Sequence, residues 1–475
     1  MRLGQLLGPD WEGGDAPQPV TGFAIDHRKV APGTVFGAFP GQRFNGEDFI
    51  AQAVDGGAVA VVAAPTARVE GAVHVADPAP RARFAELAAK FFAPFPRTAV
   101  AVTGTNGKTS TVEMTRQLWR MAGHHAASIG TLGVTTADER VTTGLTTPDI
   151  VTFLSNVAGL AREGVTHLAF EASSHGLDQY RTEGLPVAAA AFTNLSRDHL
   201  DYHGTMEAYF VAKRRLFAEV LSPDGVAVVW ADDPATPLMA DAARDRGIRV
   251  LTVGEAGDTL RLVRRIPTLL GQTLVIEVGG REERVELPLI GAYQAANALV
   301  AAGLVIATGG DVGGTLRALS RLQPVRGRLE RAAIMRSGAP VYVDYAHTPD
   351  ALEAAIAALK PHAAGRLILV FGAGGDRDRG KRAEMGAVAA KLADRVVVTD
   401  DNPRSEDPAA IRRMVLQGVP DALEVGDRRE AIAAAIGEAG PADIVLVAGK
   451  GHEQGQIVGD LVLPFDDVGV ARECA

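Results

Sequence analysis

One cysteine among 475 residues, Cys474, leaves no partner for an internal disulfide and no thiolate cluster for a metal. Such poverty suits a reducing compartment, so a cytoplasmic location is the expectation. Long apolar runs are missing too: Ala58-Val59-Ala60-Val61-Val62-Ala63 and Ala298-Leu299-Val300-Ala301-Ala302 fall far short of the roughly 18 residues of a membrane span. They read as core segments, and no membrane span is expected. A leader pattern of basic segment, apolar stretch and small-residue cleavage site is also lacking, because Met1-Arg2-Leu3-Gly4-Gln5 runs directly toward Pro9, Asp10 and Glu12. Nor is there basic excess. Lys and Arg number 48 against 57 Asp and Glu, a net charge of −9, which argues against a general nucleic-acid or anionic-membrane surface. Any phosphate site must be local.

What is present is globular composition, since 47% hydrophobic and 22% charged residues exclude a disordered chain. Domains run to about 100–200 residues, so two to four are expected. Ala93-Pro94-Phe95-Pro96-Arg97 separates a helical pattern (Arg83 to Phe92) from an apolar strand (Thr98 to Thr103) and reads as a linker. A second break falls near Leu322-Gln323-Pro324-Val325-Arg326-Gly327, after an Ala-rich helix and before the strand-like Val341-Tyr342-Val343. Segments 98–326 and 327–475 alternate β-rich and helical runs, the signature of parallel α/β sheets. In the last segment, strands Leu367 to Phe371, Arg395 to Thr399 and Ile444 to Ala448 each end in a polar loop: Gly372 to Arg377, Asp400 to Arg404 and Gly449 to Glu453. Ligands of open α/β sheets collect at the carboxyl ends of strands, so three such loops suggest one site, although any one alone reads better as a tight turn.

Between a strand (Ala99 to Thr103) and a helix (Thr109 to Met121) stands Gly104-Thr105-Asn106-Gly107-Lys108-Thr109-Ser110. Glycines let backbone N–H groups wrap a phosphate, the helix N-terminus adds partial positive charge, Lys108 can reach the β and γ oxygens, and Thr109 can ligate Mg²⁺. The pattern reads as a nucleoside triphosphate site, shortened because Val102 stands where the general phosphate loop has its first glycine.

Three further clusters follow strands. Phe192 to Gly204 gathers polar residues, His199 among them, and then leads into a helix capped by Thr205. Along that helix Met206, Tyr209, Phe210, Leu216, Phe217 and Val220 lie within roughly 60° of one direction, and Lys213 stands in the middle of the stripe. A buried ammonium there must have a lowered pKa, pair with an acid or be modified, and a neutral amine can take up CO₂ as a carbamate. Snorkelling past the stripe to solvent fits the periodicity equally. Thr166 to Phe170 leads to Glu171-Ala172-Ser173-Ser174-His175-Gly176-Leu177, which sets a carboxylate at a strand end where a hard metal could use it. Thr146-Thr147-Pro148-Asp149 reads as a cap and helix start, with Pro148 in the first turn.

Taken together with Asn297, Arg328 and Asp344-Tyr345-Ala346-His347-Thr348-Pro349, these motifs resemble the Mur ligase family, the ATP-dependent amide-forming enzymes of peptidoglycan precursor synthesis. The likeness spans nearly the whole chain. Asp401-Asn402-Pro403-Arg404 is similar to the motif of the branch that adds meso-diaminopimelate as the third peptide residue. The resemblance implies an α/β protein of three domains: a small UDP-sugar-binding domain at 1–95, a central ATP-binding domain with a mostly parallel sheet at 96–326, and a Rossmann-like amino-acid-binding domain at 327–475. It further implies that Asn297, Arg328, Asp344 and His347 join Gly104 to Ser110 at the nucleotide. His27, Thr146, Thr147, Ser173, Gln179 and Arg181 match positions that hold the UDP-muramoyl dipeptide. Arg377, Asp401, Asn402, Pro403, Arg404, Gly449 and Glu453 match positions that bind diaminopimelate. Thr109, Glu171, His199 and carbamylated Lys213 would surround Mg²⁺, with Lys108, Glu171, His199 and Lys213 as the catalytic set. Two positions depart from the pattern: Asp26-His27-Arg28 has His for the usual Ser, and Gln294 stands at a usual Asn.

The implied reaction activates a substrate carboxylate with ATP, because hydroxide or oxide is a poor leaving group, and an amine then displaces phosphate from the acyl phosphate. A carboxylate at the distal centre distinguishes diaminopimelate from L-lysine, and the Arg404 fork can accept it. The alternatives are the lysine- or ornithine-adding counterpart, folylpolyglutamate synthase, which shares the ATPase core without the N-terminal domain, and a non-catalytic binding scaffold. A monomer is the expected state.

Overall fold

The computed structural model describes every residue except 10, 12, 14, 15, 42, 43, 142, 143, 269 and 270. It forms two compact units, Met1–Thr252 with Gly303–Gly310, and Val253–Ala302 with Asp311–Ala475. Among the described residues no helix is long and apolar enough to cross a membrane.

The first unit holds two sheets. Strands Gly22–Ala24, Thr34–Gly37, Ala58–Ala63 and Val73–Ala76 pair in parallel in that order, and helix Pro80–Phe92 covers them through Phe84, which meets Phe23 and Phe39 edge-on. The larger sheet places Leu221–Trp230, Val187–Phe192, Thr98–Thr103, His167–Glu171 and Ala126–Gly130 side by side, all parallel. Strands covered on both faces are apolar throughout rather than alternating, and Val187–Phe192 (Val-Ala-Ala-Ala-Ala-Phe) is an example. One apolar core runs from Leu3 through Phe84 and Phe153 to Ile248, so the N-terminal segment shares its interior with the segment that follows.

Pairing between these strands decides the site. Val102 lies opposite Glu171, and Thr103 lies opposite Phe192. The loops after three parallel strands therefore leave the same edge side by side.

In the second unit, Leu260–Thr268, Gly271–Val278 and Arg281–Leu287 form an antiparallel meander, which departs from the parallel pattern expected through 98–326. Its last hairpin turns on Gly279 and Gly280, both at positive φ, the backbone that a tight two-residue hairpin needs. A six-stranded sheet follows in the order Glu330–Ile334, Pro340–Asp344, Ile444–Ala448, Leu367–Phe371, Arg395–Val398, Leu423–Glu424. Only its first pair is antiparallel. Ile444–Ala448 and Arg395–Val398 flank Leu367–Phe371, so the loops after all three share one edge.

Candidate active site

The loop Gly104–Gly107 is clamped rather than free. Thr105 N–H donates to the Asn194 carbonyl (2.9 Å), Asn106 N–H to Asn194 Oδ1 (2.9 Å), and Thr193 Oγ1 to the Asn106 carbonyl (2.6 Å). Ser196 N–H closes the clamp on Thr105 Oγ1 (2.9 Å). Gly104 has φ +148°, and a Cβ there would overlap the Thr193 hydroxyl. Gly107, left-handed at φ +85°, turns the chain into helix Lys108–Met121. Lys108 Nζ folds back over the loop onto the Gly104 (2.9 Å) and Thr105 (2.8 Å) carbonyls. Thr109 and Ser110 are buried in the first helical turn.

Glu171 ends its strand buried, with Thr131 N–H donating to Oε1 (2.7 Å) and Thr131 Oγ1 to Oε2 (3.1 Å). Gly130 leaves room beside it, since a Cβ there would overlap Oε1 and displace the carboxylate. Thr147 Oγ1 donates to the Glu171 carbonyl (2.8 Å) and accepts from Ser173 N–H (3.1 Å), while Thr146 Oγ1 lies 3.1 Å from Thr131 Oγ1. Arg181 Nη1 donates to the Thr147 carbonyl (2.9 Å) and Nη2 to Gln179 Oε1 (2.7 Å); Gln179 Nε2 then donates to Tyr202 Oη (2.8 Å). Five sequence-derived residues, Thr146, Thr147, Ser173, Gln179 and Arg181, thus form one network with Glu171. The helix after them starts later than expected: Asp149 is the cap, accepting from Val151 and Thr152 N–H, and Pro148 lies outside the first turn.

Lys213 is 1% exposed, which removes the snorkelling alternative. Its amine donates to the Gly104 carbonyl (2.7 Å) and lies 4.3 Å from the centre of the Tyr209 ring, so its partners are a carbonyl and a ring face. Burial, and then the Lys108 cation, hold its pKa well below the ordinary lysine value, against a smaller opposing pull from Asp198. The helix is Met206–Arg215, capped by Thr205, and its continuation Leu216–Val220 is a wider π turn.

His199 is left-handed at φ +53°, with Nε2 3.5 Å from Asp198 Oδ2. Its imidazole pKa is lowered mainly by burial, with Lys108 and Lys213 adding to the effect and Asp198 opposing it. His175 packs edge-on to the same ring (centroids 4.8 Å apart), and burial, His199 and His203 push it down to about 4. Among the described residues no group of three or more His, Cys, Asp or Glu side chains is placed to hold a metal by itself. The donor set fits a hard cation only in part: the Glu171 carboxylate keeps lone pairs beyond those that Thr131 uses, and the remaining positions call for nucleotide oxygens and water, as Mg²⁺ commonly takes them.

In the second unit, Asp344 is buried at its strand end, where Leu329 N–H (2.6 Å) and Ala346 N–H (2.8 Å) donate to its carboxylate. Burial raises its pKa to about 6, against the opposing pull of Arg328 and those N–H groups. Arg328 lies over the Tyr345 ring (4.4 Å), and its carbonyl accepts from Gln294 Nε2 (2.8 Å). Asn297 Nδ2 reaches Gln294 Oε1 at 3.4 Å, so the departure at Gln294 keeps a polar link between Asn297 and Arg328. His347 Nδ1 stands 2.9 Å from the Tyr345 carbonyl.

The three polar loops of this unit meet. Arg404, at φ +52°, extends Nη1 to the Gly375 carbonyl (2.8 Å), and its backbone pairs with Ile457 and Gly459. Asn402 Nδ2 donates to Glu453 Oε2 (2.8 Å). Gly449 has φ +115° and a Cβ there would press on Asp401. Arg377 is exposed beside this cluster, and its charge acts on Tyr345. At the N-terminal sheet, His27 stacks on Phe49 (centroids 4.5 Å apart, planes 3° apart), above an Asp26 cap that is itself paired with Arg28.

Sequence reasoning passed over Thr131, which holds Glu171, and Lys450, which is fully buried among Asp401, Asn402 and Glu453. Nothing local marks Thr131. Lys450, set between two glycines in a polar loop, carried a signal that went unused.

Three domain families match successive segments: the Mur ligase family catalytic domain over residues 19–96, the Mur ligase middle domain over 102–305, and the Mur ligase glutamate ligase domain over 327–451. A protein of Zymomonas mobilis named UDP-N-acetylmuramoyl-L-alanyl-D-glutamate--2,6-diaminopimelate ligase is 61% identical over 96% of this chain and 94% of its own. One of the same name from Caulobacter vibrioides is 53% identical over 94% of each chain. A solved structure of a ligase of that name superposes with a TM-score of 0.75 at 34% identity, covering 100% of this chain and 99% of its own. With three matched domains in order and identity of this extent, the chain belongs to the Mur ligase family.

Proposed function

We propose that the protein uses ATP to join meso-diaminopimelate to UDP-N-acetylmuramoyl-L-alanyl-D-glutamate through an acyl phosphate, in the cytoplasm and as a monomer. The observation that carries this reading is Arg404, held at the Gly375 carbonyl in the loop Asp401-Asn402-Pro403-Arg404, in a chain whose relatives bear a diaminopimelate ligase name. Segments 1–95, 96–326 and 327–475 are assigned to the UDP-sugar, ATP and the diamino acid respectively.

In this reading the loop Gly104 to Ser110 cradles the β- and γ-phosphates, and Lys108 swings from its own loop carbonyls toward them. Mg²⁺, when bound with Thr109, Glu171 and His199, would neutralise charge between the substrate carboxylate and the γ-phosphate. Thr131 fixes the orientation of Glu171, and the lowered imidazole pKa keeps His199 available as a neutral donor. The neutral Lys213 amine attacks the carbon of CO₂, the N–C bond forming as one C=O π bond opens onto oxygen, and the nitrogen gives up one proton to solvent; an uncharged amine becomes a carbamate anion beside the Lys108 cation. Thr146, Thr147, Ser173, Gln179 and Arg181 hold the muramoyl dipeptide, and His27 with Phe49 faces its uridine. Asn297, Arg328, Asp344 and His347 serve the nucleotide. Arg404 takes the distal carboxylate of diaminopimelate in a bidentate fork, a contact that lysine leaves unmade. Arg377, Asp401, Asn402, Pro403, Gly449 and Glu453 bind the remainder, with Glu453 toward the distal ammonium.

The test is ADP release by the purified protein with the UDP-muramoyl dipeptide and, in turn, meso-diaminopimelate, L-lysine and L-ornithine. Release dependent on diaminopimelate is expected. Faster release with lysine or ornithine would transfer the assignment to the counterpart enzyme.

A further inference from the structure

Lys450 is a fully buried lysine to which neither the motifs nor the mechanism above assigns a role. Its Nζ donates to Asn402 Oδ1 (2.9 Å) and to Glu453 Oε2 (3.2 Å), and it lies 3.7 Å from Asp401 Oδ1. Two of the ammonium's three donors are thus hydrogen-bonded, and its charge is further balanced by the Asp401 carboxylate at ion-pair distance. Asn402 Oδ1 also accepts from Ile457 N–H (3.0 Å), which fixes the direction of its amide, while Asn402 Nδ2 donates to Glu453 Oε2 (2.8 Å). One oxygen of Glu453 is therefore committed to Lys450 and Asn402, and the other is left for a ligand. Burying a charge this completely is costly unless it is paired, so removing either side of the cluster leaves the other uncompensated.

We propose that Lys450 is the positioning residue of the diamino-acid pocket, acting through the Glu453 carboxylate. The proposal rests on the assignment of Glu453 to diaminopimelate made above. With Lys450 in place, Asn402 and Glu453 are preset before the amino acid arrives, and the pocket's two carboxylates are partly neutralised. Without it, Glu453 loses its anchor and Asp401 and Glu453 repel each other, so the amino acid must organise the pocket itself. That cost falls on binding of the amino acid and spares ATP.

The experiment measures ADP release for the full chain, with diaminopimelate and ATP varied separately, in wild type, Lys450→Met, Glu453→Gln and the double variant. Lys450→Met is expected to raise the KM for diaminopimelate about tenfold or more, with kcat and the KM for ATP within about threefold. In the Glu453→Gln background the same substitution is expected to add less than about fivefold, because its target is already gone. An unchanged KM for diaminopimelate, a loss confined to kcat, or an equal effect in both backgrounds overturns the proposal. Should Lys450→Met fail to fold, the double variant, which removes charge of both signs, decides against Glu453→Gln alone: a further rise above about fivefold overturns the idea and a smaller one supports it. Wild-type protein that releases no ADP with diaminopimelate defeats the functional assignment instead, so the two failures read differently.

Discussion

Lys213 and Lys450 are both buried lysines whose amines lie at the carboxyl edge of a parallel sheet, and they differ in what those amines meet. Lys213 faces the Gly104 carbonyl, the Tyr209 ring and the field of Lys108; Lys450 faces Asn402, Glu453 and Asp401. Burial alone therefore does not set a lysine's role. Near another cation, with a carbonyl as its hydrogen-bond acceptor, the uncharged amine is favoured and nucleophilic chemistry opens; among carboxylates the cation is held and becomes a fixed strut. In the proposed reading the first lysine serves the phosphate-binding loop and the second the diamino-acid pocket.

The largest effect should come from breaking the first half of that contrast. Lys213→Ala is expected to reduce ADP release by about a thousandfold or more, with partial rescue by bicarbonate or a small carboxylate. Full activity without any rescue agent would sink the carbamate reading. Next is Arg404→Ala, expected to lower kcat/KM for diaminopimelate by about a hundredfold, while the KM for ATP moves by less than about threefold. Equal losses for diaminopimelate and lysine would show that Arg404 does not select between them. Gly104→Ala should raise the KM for ATP by about tenfold and destabilise the protein by about 1–3 kcal/mol, because the new Cβ meets Thr193 at a strained φ. Unaltered ATP kinetics would mean that the clamp has room to shift.

The smallest effect sets the two units apart by pH. His167 and His175, each held to about 4 by burial first, bind protons in the unfolded chain near 6.5 but not in the folded one. Their part of the stability is therefore lost as pH falls from 6.5 toward 4. Asp344 runs the other way: raised by burial from 3.8 to about 6, it binds its proton more tightly when folded, so its part is present at low pH and lost as pH rises through 6. Hydrogen exchange, corrected for its intrinsic pH dependence, should show strand His167–Glu171 less protected at pH 4.5 than at 6.5, with strand Pro340–Asp344 changing oppositely. Asp344→Asn should abolish the second change and leave the first. Parallel changes in both strands would refute the distinction.

Much of this was legible beforehand because the chemistry is local. The loop Gly104 to Ser110 carries its strand, its glycines and its helix start within a few residues, and Thr205 caps its helix through the Ala208 N–H as a threonine there should. The meander of Leu260–Thr268, Gly271–Val278 and Arg281–Leu287 falls within 98–326, where alternating β-rich and helical runs implied parallel strands, although Gly279-Gly280 marks its last turn. Pro148 misled for a related reason. Proline suits a first helical turn, but the Asp149 carboxylate, which captures two N–H groups, outcompeted it as the start. The Thr193–Asn194 clamp and Thr131 were invisible because their partners stand 87 or 88 and 40 residues away.

The sequence by itself determined the kinds of chemistry available: a glycine loop before a helix, a lysine in an apolar stripe, an arginine in a polar turn. Those depend on residues that are near neighbours along the chain, where spacing and hydrophobic periodicity act directly. Only the tertiary structure decided that Lys213 is enclosed beside the glycine loop while Lys450 is enclosed among acids, because strand pairing sets Gly104 and Glu171 on one edge and Asn402 and Glu453 on another. Charge compensation is a property of what the fold brings within a few ångströms, and no pattern along the chain carries that distance.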